Sequence, residues 1–371
     1  MENNRTGLID EGGLQRLIDV LAQSGYEVVG PTVDDGAVVY EPVERTDQFP
    51  KGYEDEQDGG RYRLKQTGSD ALFRTVVGPQ TWKRYLYPPE QTLWKAVKKK
   101  NGFAIEESDE VEPQYAFIGV RSCEMAAIAI QDKVFNNGDF SDPGYNARRN
   151  NAFLVAVNCT RAGGTCFCAS MDSGPEAKEG YDLVLTELTK GGHRFLVEAG
   201  SDAGEKILKR LKADIATEKD RKQAAKEIKA AAKSMGRKMI KDAGPVLAAN
   251  LEHDRWRNVA ERCLNCANCT MVCPTCFCST MEDLTSLDGA EAERVRKWDS
   301  CFTVDFSYIH GGPIRRDAAS RYRQWITHKL THWHEQFGTS GCTGCGRCIT
   351  WCPVGIDITE EARAIRDAQG G

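Results

Sequence analysis

Two cysteine runs in the last third of the chain have the same spacing, C-x2-C-x2-C-x3-C-P. The runs are Cys263, Cys266, Cys269 and Cys273 followed by Pro274, and Cys342, Cys345, Cys348 and Cys352 followed by Pro353. This spacing is that of bacterial ferredoxins, whose thiolates are soft ligands suited to iron. The sequence therefore predicts two [4Fe–4S] clusters, each held by four of these cysteines.

The fourth cysteine of each run in such proteins binds the cluster of the other run. We therefore predict one cluster on Cys263, Cys266, Cys269 and Cys352, and a second on Cys342, Cys345, Cys348 and Cys273. Structural zinc is the alternative, but zinc needs only four ligands and gives no reason for two complete sets with Cys-Pro endings. Cys276, Cys278 and Cys301 are surplus, and we expect them to line the cluster pocket and tune its potential.

Four more cysteines lie in the first half: Cys123, Cys159, Cys166 and Cys168. Cys123 and Cys159 follow two strand-like runs, YAFIGV and NAFLVAVN. If these strands are parallel neighbours, their carboxyl ends share the edge where α/β folds place ligands. The sequence thus predicts a third [4Fe–4S] cluster, and about twelve irons and twelve sulfides per chain. Zinc, or buried thiols acting as small apolar groups, are the alternatives.

Strand-like and helix-like runs alternate around these first-half cysteines. EMAAIAIQDKVF has a helical pattern, whereas YDLVLTEL and HRFLVEAG read as two strands joined by a Lys-Gly-Gly turn. From Glu205 to about Lys241 the composition shifts to Ala, Lys and Glu, which indicates a charged amphipathic helix. The predicted apolar face of that helix is Ile207, Leu208, Leu211 and Ile215.

The predicted fold class is α+β. An N-terminal α/β-type domain spans 1–204, a charged helical connector spans 205–244, and an all-helical dicluster ferredoxin domain spans 245–371. The connector ends at Gly244-Pro245, which breaks the helical pattern. One apolar stripe in the last domain reads as a core face: Tyr322, Trp325, Ile326, Leu330, Trp333 and Phe337. His328, His332 and His334 lack a matching acid such as HExxH and read as interface or surface residues.

Composition narrows the function classes. Lys plus Arg number 49 and Asp plus Glu 54, so the net charge is −5, without the basic stripe that nucleic-acid binding favours. The start MENNRTGLIDEGG carries no secretory signal pattern, and no window is apolar enough to span a membrane. We therefore expect a cytoplasmic protein that binds neither nucleic acid nor membrane. With neither GxGxxG after a strand nor a Walker A lysine, we expect no dinucleotide site.

Several segments together resemble a known family: FIGVRSCEMAAIAIQDKVF, LVAVNCTRAGGTCFCASM, RCLNCANCTMVCPTCFCSTMED, KWDSCFTVDFSYIHGG, SRYRQWITHKL and SGCTGCGRCITWCPVGIDIT. The chain resembles the β subunit of soluble group 3b [NiFe] hydrogenases, also called sulfhydrogenases. It is also similar to the electron-transfer subunit of anaerobic sulfite reductase. The paired TCFC and WDSCF segments make the resemblance specific, whereas ferredoxin runs alone are generic.

The resemblance implies an electron-transfer subunit without a catalytic residue of its own. Implied partners are the [NiFe] large and small subunits and a FAD- and [2Fe–2S]-carrying subunit that exchanges hydride with NAD(P)H. A sulfite reductase complex is the alternative, distinguished by its neighbouring subunit, and a non-redox zinc scaffold is the second. The 68 residues between Cys273 and Cys342 imply the helical dicluster module of heterodisulfide reductase and fumarate reductase iron–sulfur subunits.

Overall fold

The computed structural model describes residues 5–107 and 113–368. Its strands are β1 (Thr6–Ile9), β2 (Glu27–Asp34), β3 (Ala37–Pro42), β4 (Tyr53–Asp58), β5 (Arg61–Gln66), β6 (Glu90–Lys99), β7 (Gly102–Glu107), β8 (Tyr115–Arg121), β9 (Asn136–Asn137), β10 (Phe140–Ser141), β11 (Phe153–Val157), β12 (Leu183–Leu188), β13 (Arg194–Ala199), β14 (Ser279–Thr285), β15 (Glu291–Trp298), β16 (Tyr308–Ile309) and β17 (Gly312–Pro313).

The helices are α1 (Glu11–Gln23), α2 (Lys83–Leu86), α3 (Ser122–Phe135), α4 (Pro143–Asn150), α5 (Asp202–Leu211), α6 (Glu218–Lys233), α7 (Ala243–Ala248), α8 (Arg255–Ala260), α9 (Asn268–Met271), α10 (Ala318–Thr327), α11 (Trp333–Phe337), α12 (Arg347–Thr350) and α13 (Ile358–Asp367). Short 3-10 segments cover Thr46–Gln48 and Cys168–Met171, and a π-helical turn, His328–His332, joins α10 to α11. None of the helices in the described part of the chain is long and apolar enough to cross a membrane.

The largest sheet has the strand order β1-β13-β12-β11-β8-β2-β3. Its centre is parallel, because β11 pairs in parallel with both β8 and β12, and β8 pairs in parallel with β2. Central strands buried on both faces are continuous apolar runs, which explains FLVAV in β11. Helices α1 and α5 contribute to the core on one face, and α3 to the core on the other. The α/β interpretation of the first half is confirmed.

A second sheet joins distant parts of the sequence. It has the order β14-β15-β6-β7, so a hairpin from the last third pairs with strands from the first third. The expectation of an all-helical last domain is therefore not confirmed. The turn around Gly289, with φ +64°, lets the chain fold back between the two mostly polar strands β14 and β15. The proposed division at 204 and 244 stays a prediction.

The charged connector is two helices, α5 and α6, instead of one. Lys212 adopts a left-handed conformation at the end of α5, and Thr217 caps the start of α6. Ile207, Leu208 and Leu211 are buried as predicted, but Ile215 lies beyond the helix and is 84% exposed. The prediction of a single apolar face including Ile215 is wrong. Gly244 and Pro245 lie inside α7.

The helices of the last third surround one apolar core. Five of the six residues in the predicted stripe are buried: Tyr322, Trp325, Ile326, Leu330 and Trp333. All but Trp333 pack with residues of α7, α8 and α13, whereas Trp333 packs against Phe277 and His328. The interpretation of this stripe as a core face is confirmed for these five, while Phe337 is half-buried at the end of α11.

Candidate iron–sulfur centres

The four cysteines predicted for the first cluster line one pocket. They come from both runs: Cys263, Cys266, Cys269 and Cys352. Phe302, Tyr322 and Trp325 form its apolar wall. Burial and the neighbouring thiols raise the pKa of Cys269, so thiolate forms there only with a compensating cation. Iron bound at this place would supply that charge.

The two runs fold into matching loops. Asn265 and Ala267 have φ of +52° and +65°, and the equivalent Gly344 and Gly346 have +65° and +80°. A short helix follows each loop, α9 after the first and α12 after the second. Left-handed residues at two alternate positions curl the backbone around the three closely spaced cysteines of each run. The internal repeat seen in the sequence is thus also a structural repeat.

The cysteines predicted for the second cluster also lie together. Burial raises the pKa of Cys348, and the thiols of Cys342, Cys345 and Cys273 raise it further. Burial likewise raises the pKa of Cys342 to about 12, against the opposing effect of the Lys329 ammonium. Cys273 therefore lies beside the three cysteines of the other run, and its assignment to the second cluster stays a prediction.

Lys329 is a buried cation at this second set. Its Nζ donates hydrogen bonds to Thr275 Oγ1 (2.9 Å), Cys273 Sγ (3.2 Å) and Gly341 O (3.3 Å). A hydrogen bond from Cys276 and the charge of Lys329 hold the pKa of Cys273 well below its usual value. The site thus stabilises a thiolate at Cys273. The sequence interpretation missed Lys329. A lysine within a stripe of apolar residues was the signal that could have identified it.

The first-half cysteines converge as predicted. The parallel pairing of β8 and β11 sets Arg121 opposite Val157, so Cys123 at the start of α3 and Cys159 after β11 lie at one sheet edge. All four cysteines line one pocket: Cys123, Cys159, Cys166 and Cys168. Burial raises the pKa of each of these thiols, that of Cys166 to about 12.

Two arginines line the same pocket. Arg121 is 3% exposed, and a hydrogen bond and charge from its guanidinium counteract the effect of burial on the pKa of Cys159. Arg161 also lines the pocket and pairs with the buried carboxylate of Asp55 at 3.1 Å. Sequence reasoning missed Arg161. Both cations fit an anionic, thiolate-ligated group in this pocket.

The first-half pocket and the second ferredoxin run are in direct contact. The Phe167 N–H donates to Gly344 O (2.9 Å), and the Ser173 hydroxyl donates to Thr343 O (2.6 Å). Cys345 packs with Cys123 and Cys168 in one small buried cluster. The first-half cysteines therefore abut the second ferredoxin set.

Gly344 permits this contact, and Gly344→Ala is expected to disrupt it. An alanine Cβ would lie 2.7 Å from the Cys168 backbone, and Gly344 has φ +65°. Gly338 has φ +67° with nothing within 4 Å, so Gly338→Ala isolates the cost of the backbone conformation. We expect Gly344→Ala to lower the free energy of unfolding by about 1–3 kcal/mol more than Gly338→Ala. Anaerobic urea denaturation measures this difference, and equal losses would contradict the close packing.

A buried ion pair also crosses this contact. Arg347, beside Cys348, donates from Nη2 to Glu124 Oε1 at 2.6 Å, and Glu124 follows Cys123. Tyr40 and Trp82 donate to the second carboxylate oxygen at 2.9 and 3.1 Å. Neither Arg347 nor Glu124 was identified from the sequence, because their pairing depends on the tertiary contact.

The three surplus cysteines lie beside the second set. Cys276 hydrogen-bonds to Cys273, and Cys278 hydrogen-bonds to Cys301. All three line a cavity with His328 and Lys329. Their expected role in tuning a cluster stays a prediction. Within residues 5–107 and 113–368, no three His, Cys, Asp or Glu side chains are arranged to hold a single metal ion.

Comparisons with known proteins bear on the two ferredoxin runs and on the family of the chain. A family model described as a 4Fe-4S dicluster domain matches residues 262–356, which include both ferredoxin runs. Sulfhydrogenase 2 subunit beta of Pyrococcus furiosus is 32% identical over 321 residues, covering 82% of this chain and 89% of that protein. No solved structure matches the chain. The resemblance inferred from the motifs is confirmed: the chain belongs to the family of sulfhydrogenase beta subunits.

Proposed function

We propose that this chain relays single electrons between the [NiFe] module and the flavin module of an NAD(P)-linked hydrogenase complex. Family membership and the dicluster domain support an iron–sulfur electron-transfer subunit. The main support for this relay is the contact of Cys123 and Cys168 with Cys345. Electrons exchange faster between two sites in contact than between two separated sites.

The proposed ligands are the three sets of cysteines that the folded chain groups together. They are Cys263, Cys266, Cys269 and Cys352; Cys342, Cys345, Cys348 and Cys273; and Cys123, Cys159, Cys166 and Cys168. A [4Fe–4S] cluster bound at each set supplies reversible one-electron exchange, with no bond made by a side chain.

The remaining residues of the sites exclude water and balance charge. Phe302, Tyr322 and Trp325 keep the first pocket apolar. Lys329 donates to a cysteine of the second set, and Arg121 to one of the third. Burial and hydrogen bonds to sulfur are the means by which a protein sets a cluster's potential.

The proposed partners are the [NiFe] large and small subunits and the FAD/[2Fe–2S] subunit that binds NAD(P), in the cytoplasm. The absence of GxGxxG and Walker A motifs from the sequence supports an accessory role. In the alternative complex, an anaerobic sulfite reductase, the neighbouring subunit would carry siroheme. Identification of the copurifying subunits and their cofactors separates the two. A colourless chain that contains zinc but lacks iron would support the scaffold alternative.

Cys159→Ser tests the third site and its part in the relay. We expect the purified complex to lose about four irons and four sulfides per chain. We also expect slower H2-driven NAD(P)+ reduction, with H2 oxidation by a dye at the [NiFe] module retained. Thr160→Ala is the matched control, since Thr160 adjoins Cys159 without lining the pocket. Unchanged iron in Cys159→Ser would remove the third cluster from the proposal.

A further inference from the structure

The surplus cysteines share a cavity that none of the three four-cysteine sets uses. Cys276, Cys278 and Cys301 line a space of about 480 Å³ at the base of the β14–β15 hairpin. Cys278 comes directly before β14, and Cys301 lies three residues after β15, so the hairpin pairing brings them together. The Asp299 N–H donates to Cys278 O at 2.9 Å, which holds the two ends of the hairpin together.

Two buried lysines flank these thiols. Lys83 and Lys329 are each 4% exposed, and no carboxylate in the described part of the chain lies within 4 Å of either ammonium. Lys83 Nζ donates to Cys276 O at 3.0 Å and lies 3.7 Å from the centre of the Trp298 ring. Lys329 lines the cavity and donates to Cys273.

Buried ammonium groups need nearby negative charge. Burial lowers the pKa of Lys83 to about 8, the nearby thiols of Cys276, Cys273 and Cys278 oppose this change, and the charge of Lys329 adds to it. Three thiols grouped in one cavity beside two buried lysines form a site that suits an anionic, thiolate-ligated group.

We propose that Cys276, Cys278 and Cys301 hold a further iron–sulfur cluster, with His328 as the fourth donor. His328 lies on the wall of the same cavity, and its ring packs against Phe277, between two of the three cysteines. Imidazole and thiolate both bind iron. A cluster here would exchange one electron at a time with the second ferredoxin set, without making or breaking a bond in the protein.

Three thiols and an imidazole are donors that iron–sulfur clusters accept. No three His, Cys, Asp or Glu side chains among residues 5–107 and 113–368 are arranged around one ion, and this holds for the ferredoxin sets as well. The surplus cysteines lie within residues 262–356, the range that a family model of a 4Fe-4S dicluster domain matches. A zinc ion and a Cys278–Cys301 thiol–disulfide pair are the competing occupants, and the test separates them.

The test compares metal content of the anaerobically purified complex containing Cys276→Ser/Cys278→Ser/Cys301→Ser with that of Gln336→Ala. Gln336 lines the same cavity and is exposed, so its variant controls for disturbance of the cavity wall. We expect the triple variant to lose about four irons and four sulfides per chain, and Gln336→Ala to lose none. Unchanged iron, or the loss of about one zinc instead, would overturn the proposal.

Two further measurements keep the result interpretable. If the triple variant fails to fold, His328→Ala is measured instead. We expect an altered EPR signal from one cluster in the reduced complex, and an unchanged spectrum would overturn the histidine ligand. Combining the triple variant with Cys159→Ser should remove about eight irons. Loss only from Cys159→Ser would leave the three-cluster relay standing and remove the further site.

Discussion

Arg347→Met is expected to lower the free energy of unfolding by about 3–5 kcal/mol, because it leaves the Glu124 carboxylate buried without its cation. Arg347 and Glu124 are 1% exposed, and their 2.6 Å contact joins the residues beside Cys348 and Cys123. Backbone carbonyls of Gly78 and Gln80 also accept from this guanidinium, each at 2.9 Å. Anaerobic urea denaturation of the iron-loaded complex measures the loss.

The control for this change is Arg366→Met. Arg366 also pairs with a carboxylate, that of Asp367, but both side chains are exposed, so we expect less than about 1 kcal/mol. Arg347→Met/Glu124→Gln should recover part of the lost stability, since it removes the unpaired charge. A loss in Arg347→Met no larger than in Arg366→Met would show that the buried pair does not hold the two halves together.

Lys329→Met is expected to lower the reduction potential of the second ferredoxin cluster by about 100 mV. Reduction adds negative charge near the Lys329 ammonium, which lies 3.2 Å from Cys273 Sγ. Loss of a charge at such short range corresponds to about 2 kcal/mol in a partly screened interior. That energy is about 100 mV for a one-electron couple.

EPR-monitored redox titration of the complex measures this shift. Lys329→Arg retains the positive charge and should shift the potential less, which separates charge from packing. Lys206→Met removes an exposed lysine from α5 and should leave every potential unchanged. A potential that is unchanged or higher in Lys329→Met would contradict the assignment of Cys273 to a cluster.

Most of the site prediction came from the ferredoxin spacing, because the number of residues between cysteines determines which thiols one loop can bring together. The parallel pairing of β8 and β11 was only a condition of the prediction for Cys123 and Cys159, because the sequence does not give the strand order; the structure shows this pairing. Glycine-rich sequence around Cys166 indicated the loop that returns to this edge. The twelve cysteines proposed as ligands from local sequence patterns lie in three groups in the folded chain.

Features that depend on long-range contacts were not predictable. The β14–β15 hairpin is polar and alternates weakly, and it is ordered by pairing with β6, nearly 200 residues earlier in the chain. Lys83, Lys329 and Arg347 acquire their roles only when separate segments bury them together. Ile215 was misplaced because helical periodicity cannot locate the left-handed Lys212 that ends α5.

The count of iron and acid-labile sulfide in the anaerobically purified chain tests the central claim most directly. Three four-cysteine sets predict at least about twelve of each per chain, and the further site would raise the count to about sixteen. A count of about eight of each would match the two ferredoxin sets alone and would contradict a relay that includes Cys123, Cys159, Cys166 and Cys168.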